Sequence, residues 1–199
     1  MQVQNIIFTG RFQPLHNGHV KILEKIKCIY PNCNLIICII RNSSDTKTIK
    51  EKGSFHILSQ SKFIEENNPL PNWERFKLLS IFIKSNPIFL NTFILMRDRP
   101  DIDWIKSLQD LPKDRTFVLP NCEKNEFDKQ KSEYYKQKGE KLIFIDIEES
   151  AQYSATDIRE ELKKGNNSLS FLPTSCHDYF ISYCLKYFGL IADGSGYLP

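Results

Sequence analysis

The sequence predicts an α/β fold, a doubly wound parallel sheet with helices on both faces. Three observations carry that prediction. Short apolar runs alternate with longer amphipathic stretches along most of the chain. The runs are unbroken, as strands covered on both faces must be. The first two, residues 3–9 and 35–40, flank a stretch in which Val20, Ile22, Leu23, Ile26 and Ile29 recur at intervals of three and four, forming one face of a helix.

The chain therefore opens with strand, helix, strand. Further strands are predicted over 88–96, 116–119 and 142–147, and helices over 73–84, 103–110 and 127–138. Two late helices, 155–164 and 174–188, are separated by Gly165 and Pro173. In such a sheet ligands sit beyond the carboxyl ends of the strands, so the site is expected in the loops that follow them. Residues 43–68 interrupt the alternation: they are polar and lysine-rich, with one apolar cluster at Phe55, Ile57 and Leu58. An insertion of that length reads either as a functional lid or as a surface excursion. One domain is expected over 1–188, followed by a tail over 189–199 that contains Asp193-Gly194-Ser195-Gly196.

Composition narrows the class. Of the 199 residues, 41% are hydrophobic and 26% charged, enough apolar material for a core and too much for a disordered chain. Lys and Arg total 27 against 24 for Asp and Glu, and a net charge of +3 is far short of what grips nucleic acid by charge. Anions are expected to bind at a local site instead. The 6 cysteines form no two-residue-gap pair, so reduced thiols are expected rather than a zinc or redox motif. The longest apolar run, 35–40, is too short to cross a bilayer, and Met1-Gln2-Val3-Gln4-Asn5 has no basic segment before an apolar stretch. A cytoplasmic location with no membrane partner is the expectation.

The strongest chemical signal is TGRFQPLHNGH, Thr9 to His19, between the first strand and the first helix. Gly10 is expected to let the backbone turn sharply after the strand, freeing N–H groups that, with the helix N-terminus, cradle an anion. Pro14 sets the loop dihedral. His16 and His19, three apart, can face one point at the start of the helix, and Gly18 removes a side chain where a ligand or a strand must approach. With Arg11 beside them, two imidazoles suit a pentacovalent phosphorus centre, whose charge builds on non-bridging oxygens and a leaving pyrophosphate. Taken alone, H-x-x-H fits surface or metal-binding histidines equally well, but no third ligand lies close in sequence and no metal site is expected.

A second motif is YSATDIR, Tyr153 to Arg159. Ser154 is a candidate N-cap, Asp157 suits a first helical turn, and Ser154 and Thr156 can donate to phosphate oxygens that Arg159 also reaches. A capped surface helix is the plainer reading of that segment in isolation.

TGRFQPLHNGH resembles the signature of the HxGH nucleotidylyltransferase superfamily, and Gly10 to Pro14 is most similar to the archaeal-type nicotinamide-mononucleotide adenylyltransferases, which also occur fused to a Nudix domain. Tyr153 to Arg159 resembles the S-x-T-x-[IV]-R segment of the same enzymes. Asn68-Pro69-Leu70-Pro71-Asn72-Trp73-Glu74-Arg75 resembles their N-P-[FW]-T-x-x-E-R stretch. The segment from Arg97 to Trp104 resembles the loop that holds the nicotinamide nucleotide, and Lys131-Ser132-Glu133-Tyr134-Tyr135 is similar to a stretch of the fused enzymes. No Nudix motif is present.

The resemblance implies a Rossmann-like sheet and transfer of AMP from ATP to nicotinamide mononucleotide, with Mg2+ arriving on the ATP. It implies catalysis by His16, His19 and Arg11. The implied ATP site comprises Thr9, Gly10, Arg11, Phe12, His16, Gly18, His19, Tyr153, Ser154, Thr156 and Arg159. The implied acceptor site comprises Asn68, Arg75, Asp98 and Trp104, the last as a stacking platform for a pyridinium ring. A homo-oligomer is implied by analogy with relatives. Two departures leave alternatives open. Arg41-Asn42-Ser43-Ser44 replaces the usual Gly-Ser after the second strand, and Asn67 stands where a basic residue is expected to hold the mononucleotide phosphate, a role open to Arg41, Lys47 or Lys62. A cytidylyl- or adenylyltransferase for another small phosphate, and a non-catalytic nucleotide sensor, remain the other readings.

Overall fold

The computed structural model describes residues 4–41, 67–121, 126–146, 155–164 and 169–190. The expectations that fall on 42–66, on Tyr153 and Ser154 and on 191–199 lie outside the described residues.

Five strands form one fully parallel sheet: β1 (Asn5–Gly10), β2 (Asn34–Ile40), β3 (Thr92–Arg97), β4 (Thr116–Pro120) and β5 (Lys141–Ile145), in the order β3-β2-β1-β4-β5. The outward winding in both directions from β1 places a crevice at the carboxyl ends of β1, β2 and β4. Side chains alternate across the sheet. Ile6 and Phe8 of β1, with Leu35, Ile37 and Ile39 of β2, enter the larger core beneath α1 (Asn17–Ile29) and α2 (Asn72–Ser85). Ile7, Ile36 and Cys38 point the other way, to Phe117 and to Tyr135 of α4 (Glu126–Gln137). Both faces are covered, which is why the strands read as unbroken apolar runs.

Three elements differ from the sequence reading. The third strand begins at Thr92, because Pro87 opens a tight turn, Pro87–Phe89, whose entry is capped by Asn86 accepting from the Ile88 N–H at 3.3 Å. The helix expected over 103–110 is the single turn α3 (Trp104–Ser107). Asp103 caps it by accepting from Lys106 N–H at 3.0 Å, and the buried Arg97 draws off the Ser107 carbonyl through Nε at 2.8 Å. The last helix is broken. Turns at Thr174–Cys176, His177–Tyr179, Phe180–Cys184 and Leu185–Phe188 alternate between tight and wide winding, and the run stops at Gly189 with φ 77°. Phe180, Cys184 and Phe188 all lie in the larger core. Before that run, α5 (Ala155–Lys163) buries Ile158 and Leu162 in that core, so the second motif is fixed to the face that carries α1.

Candidate active site

The β1–α1 loop is built around an aromatic prop. Phe12 takes a left-handed φ of 53°, so the turn expected at Gly10 is made two residues later. Its ring, 1% exposed, folds back over Gly10, where a Cβ would lie 3.0 Å from ring carbons. Gly10 is therefore required by that close approach. The same ring meets Phe8 edge-on at 6.1 Å and His19 at 4.7 Å, so it braces the second histidine.

His16 is the N-cap of α1: its Nδ1 accepts from the Gly18 N–H at 3.1 Å, and its carbonyl accepts from His19 and Val20. The N–H groups of Gly18, His19 and Val20 are therefore used within the turn. An accepting Nδ1 fixes the proton on Nε2, making that edge of His16 a donor. The two imidazole centroids are 3.8 Å apart. Burial pushes the His16 imidazole down to about 4, with nearby Asp157 opposing and Arg159 reinforcing. Burial, then His16 and Arg11, holds His19 well below the usual histidine range. Both rings are neutral at pH 7. Among the described residues Nδ1 of His19 is buried without a hydrogen-bond partner, and an orphaned N–H there is rarer than an under-satisfied acceptor, which favours the proton on Nε2 here too.

The second motif closes on the first. Arg159, 4% exposed, donates Nη1 to the Gln13 carbonyl at 3.0 Å and Nη2 to Asn67 Oδ1 at 3.2 Å and Thr156 Oγ1 at 3.0 Å. The late helix and the opening loop thus face one space. Arg11 donates to Asn68 Oδ1 at 3.4 Å and is held down to about 10 by burial and by Arg159. Beneath them Arg75 is fully buried, donating to the carbonyls of Arg11 at 2.7 Å and Ile40 at 2.8 Å and to Asn72, and burial then Arg11 holds it down to about 10. Arg75 ties the carboxyl ends of β1 and β2 together, a positioning task beneath the site. All three guanidiniums are cations at pH 7 around two neutral imidazoles, an arrangement suited to a polyanion.

Of the acceptor residues named from sequence, Asn68 and Arg75 sit with Arg11, while Asp98 and Trp104 lie on the neighbouring side. A cavity at the ends of β1, β2 and β3 is lined by Thr9, Cys38, Asp98, Trp104, Phe117 and Tyr135, among others. Asp98 pairs with Lys106 at 3.0 Å and Arg41 at 3.4 Å. Trp104 is part-exposed and meets Tyr134 and Tyr135 edge-on at 5.6 and 5.1 Å, so it lines the cavity while belonging to the smaller core.

Sequence reasoning missed two residues here. Gln13, fully buried, clamps Leu70 with both ends of its amide, donating to the carbonyl at 2.9 Å and accepting from the N–H at 2.8 Å, which holds the 67–71 segment over the loop. Asn67 appeared only as a lost base, whereas it positions Arg159. A buried amide inside a phosphate motif was the one available signal for the first, and the second has none. Among the described residues no three of His, Cys, Asp or Glu converge to hold a metal.

The cytidylyltransferase-like family model matches residues 7–161. A nicotinamide-nucleotide adenylyltransferase of Pyrococcus furiosus is 22% identical over 178 residues, covering 87% of this chain and 80% of its own length. A nicotinic acid mononucleotide adenylyltransferase of Plasmodium falciparum, solved with NaAD, superposes with a TM-score of 0.58 at 17% identity over 94% of this chain and 98% of its own. A bifunctional NMN adenylyltransferase/ADP ribose pyrophosphatase of Francisella tularensis, solved with AMP and a manganese ion, gives 0.59 at 17% identity, covering 98% of this chain and 53% of its own. This chain spans about half of that bifunctional protein. At such identities the two structures speak for the fold.

Proposed function

The chain belongs to the cytidylyltransferase-like family, and on that premise we propose that it transfers AMP from ATP to nicotinamide mononucleotide, giving NAD and pyrophosphate. In this reaction an acceptor phosphate oxygen attacks the α-phosphorus of ATP in line. A P–O bond forms to the acceptor, the bond from the α-phosphorus to its bridging oxygen breaks, and the electron pair leaves with pyrophosphate. A phosphate monoester is largely ionised at neutral pH, so no strong general base is required. Positioning and charge neutralisation supply the rate.

The observation that carries the reading is the 3.0 Å bond from Arg159 to the Gln13 carbonyl, which brings both phosphate-type motifs to one space beside the paired histidines. There the Nε2–H edges of His16 and His19 donate to the triphosphate and to charge developing in the transition state, while Arg11 and Arg159 neutralise it. Because the imidazoles are neutral, they stabilise as dipoles and do not repel the guanidiniums. Thr9, Gly10, Gly18 and Thr156 complete the nucleotide side, with Asn68, Asp98 and Trp104 on the acceptor side. Mg2+ would arrive with the nucleotide and would there neutralise phosphate charge beside Arg11 and Arg159.

The test is pyrophosphate release from MgATP with a panel of phosphate acceptors. Release with nicotinamide mononucleotide is expected. Release only with a sugar or alcohol phosphate rejects the acceptor, and release with none favours a nucleotide sensor.

A further inference from the structure

Where the resemblance expects a basic residue for the acceptor phosphate, this chain has Asn67, and Asn67 is occupied with Arg159. Of the substitutes named from sequence, Arg41 pairs with Asp98, while Lys47 and Lys62 lie outside the described residues. A different cation reaches the site from α4. Lys131 lies one turn before Tyr135 and sets Nζ 5.9 Å over that ring. Tyr135 is 1% exposed and lines the cavity with Thr9, Asp98 and Trp104. Its ring is held on three sides by Trp104, Phe117 and Tyr134. The lysine is therefore carried on a rigid aromatic base at the carboxyl end of β1.

We propose that Lys131 is an anion-binding residue of this site, its ammonium holding the phosphate of the acceptor; the assignment rests on the nucleotidyl-transfer reading above. Among the described residues Lys131 makes no hydrogen bond or ion pair. Burial holds its ammonium below the usual lysine range, with Asp128 opposing and Arg11 reinforcing. A part-buried ammonium over a ring that lines the cavity costs free energy until an anion pairs with it. An acceptor phosphate between Arg11 and Lys131, with its base toward the cavity of Trp104, meets that requirement. The triphosphate side, by contrast, is formed by His16, His19 and Arg159. Each substrate phosphate thus has its own cation, and Arg11 stands between them.

The experiment compares wild type with Lys131→Met, which keeps length and apolar packing, and Lys131→Arg, which keeps charge. The probe is inorganic phosphate, titrated against protein whose nucleotide side is filled with a methylene analogue of ATP. The expected result is at least a tenfold weaker phosphate affinity in Lys131→Met and near wild-type affinity in Lys131→Arg. In steady-state assays KM for the acceptor rises by a similar factor in Lys131→Met, while KM for ATP changes little. Unchanged phosphate affinity, a loss that falls on ATP instead, or equal losses in both variants would each overturn the assignment. Phosphate binding is independent of which acceptor is used. A wild type that releases pyrophosphate only with another acceptor therefore fails the function proposed above and leaves the Lys131 result standing.

Discussion

Neutral, buried histidines at the start of α1 give a stability that depends on pH, and the perturbation that isolates it is His16→Asn. Asparagine retains an oxygen able to cap the Gly18 N–H, so the helix start survives while the titrating group is removed. In the folded chain the His16 imidazole is pushed from 6.5 down to about 4, chiefly by burial. The unfolded chain therefore binds a proton that the folded chain refuses between those two values. The stabilisation is fully present above about pH 6.5, falls as pH drops, and is lost by about pH 4. At about 1.4 kcal/mol per pH unit, the gap amounts to roughly 3 kcal/mol. His19, 3.8 Å away and shifted in the same direction, shares the titration, so the pair and not one ring sets the shape of the curve. Urea unfolding of wild type and variant across about pH 7.5 to about pH 4 gives the measurement. Carboxylates common to both proteins cancel in the comparison. Wild type is expected to lose up to roughly 3 kcal/mol more than His16→Asn over that range. Parallel curves would refute a buried neutral imidazole at this position.

Other consequences follow from the same geometry. His19→Ala removes a transition-state donor and an unpartnered nitrogen together, so pyrophosphate release should fall by roughly a hundredfold or more with an unchanged circular-dichroism spectrum; an unchanged rate removes the role. Gln13→Ala orphans the Leu70 N–H and carbonyl, and at about 1–3 kcal/mol per buried group should cost about 2–6 kcal/mol in urea unfolding; a change under about 0.5 kcal/mol would show the clamp to be replaceable by water. Trp104→Ala should weaken binding of the pyridine nucleotide more than binding of ATP in calorimetric titrations, and equal losses would assign Trp104 to packing against Tyr134 and Tyr135.

Where the sequence reading fell short, the causes are local. Periodicity finds β1, α1 and β2 because every buried side chain of those elements reports the same sheet. It overextends α3, since Arg97, distant in sequence, captures the carbonyl that would continue the turn. It reads residues 174–188 as one helix, whereas the segment is wound in successive tight, regular, wide and tight turns even though Phe180, Cys184 and Phe188 keep the four-residue spacing of one helical face. Side-chain pattern carries no information about such winding.

By itself, the sequence determined the fold class and the location of the site: unbroken apolar strands separated by helices make a parallel sheet covered on both faces, and Thr9 to His19, by its resemblance, marks the loop after the first strand. Only the tertiary structure decided how those residues work. Arg75 reads as a substrate contact until the fold buries it under Arg11, the imidazoles read as titratable until burial makes them neutral, and Lys131 is part of a family-like stretch without a role until α4 sets it over Tyr135. Burial and the approach of distant charges set those roles, and both are properties of packed neighbours that no local pattern encodes.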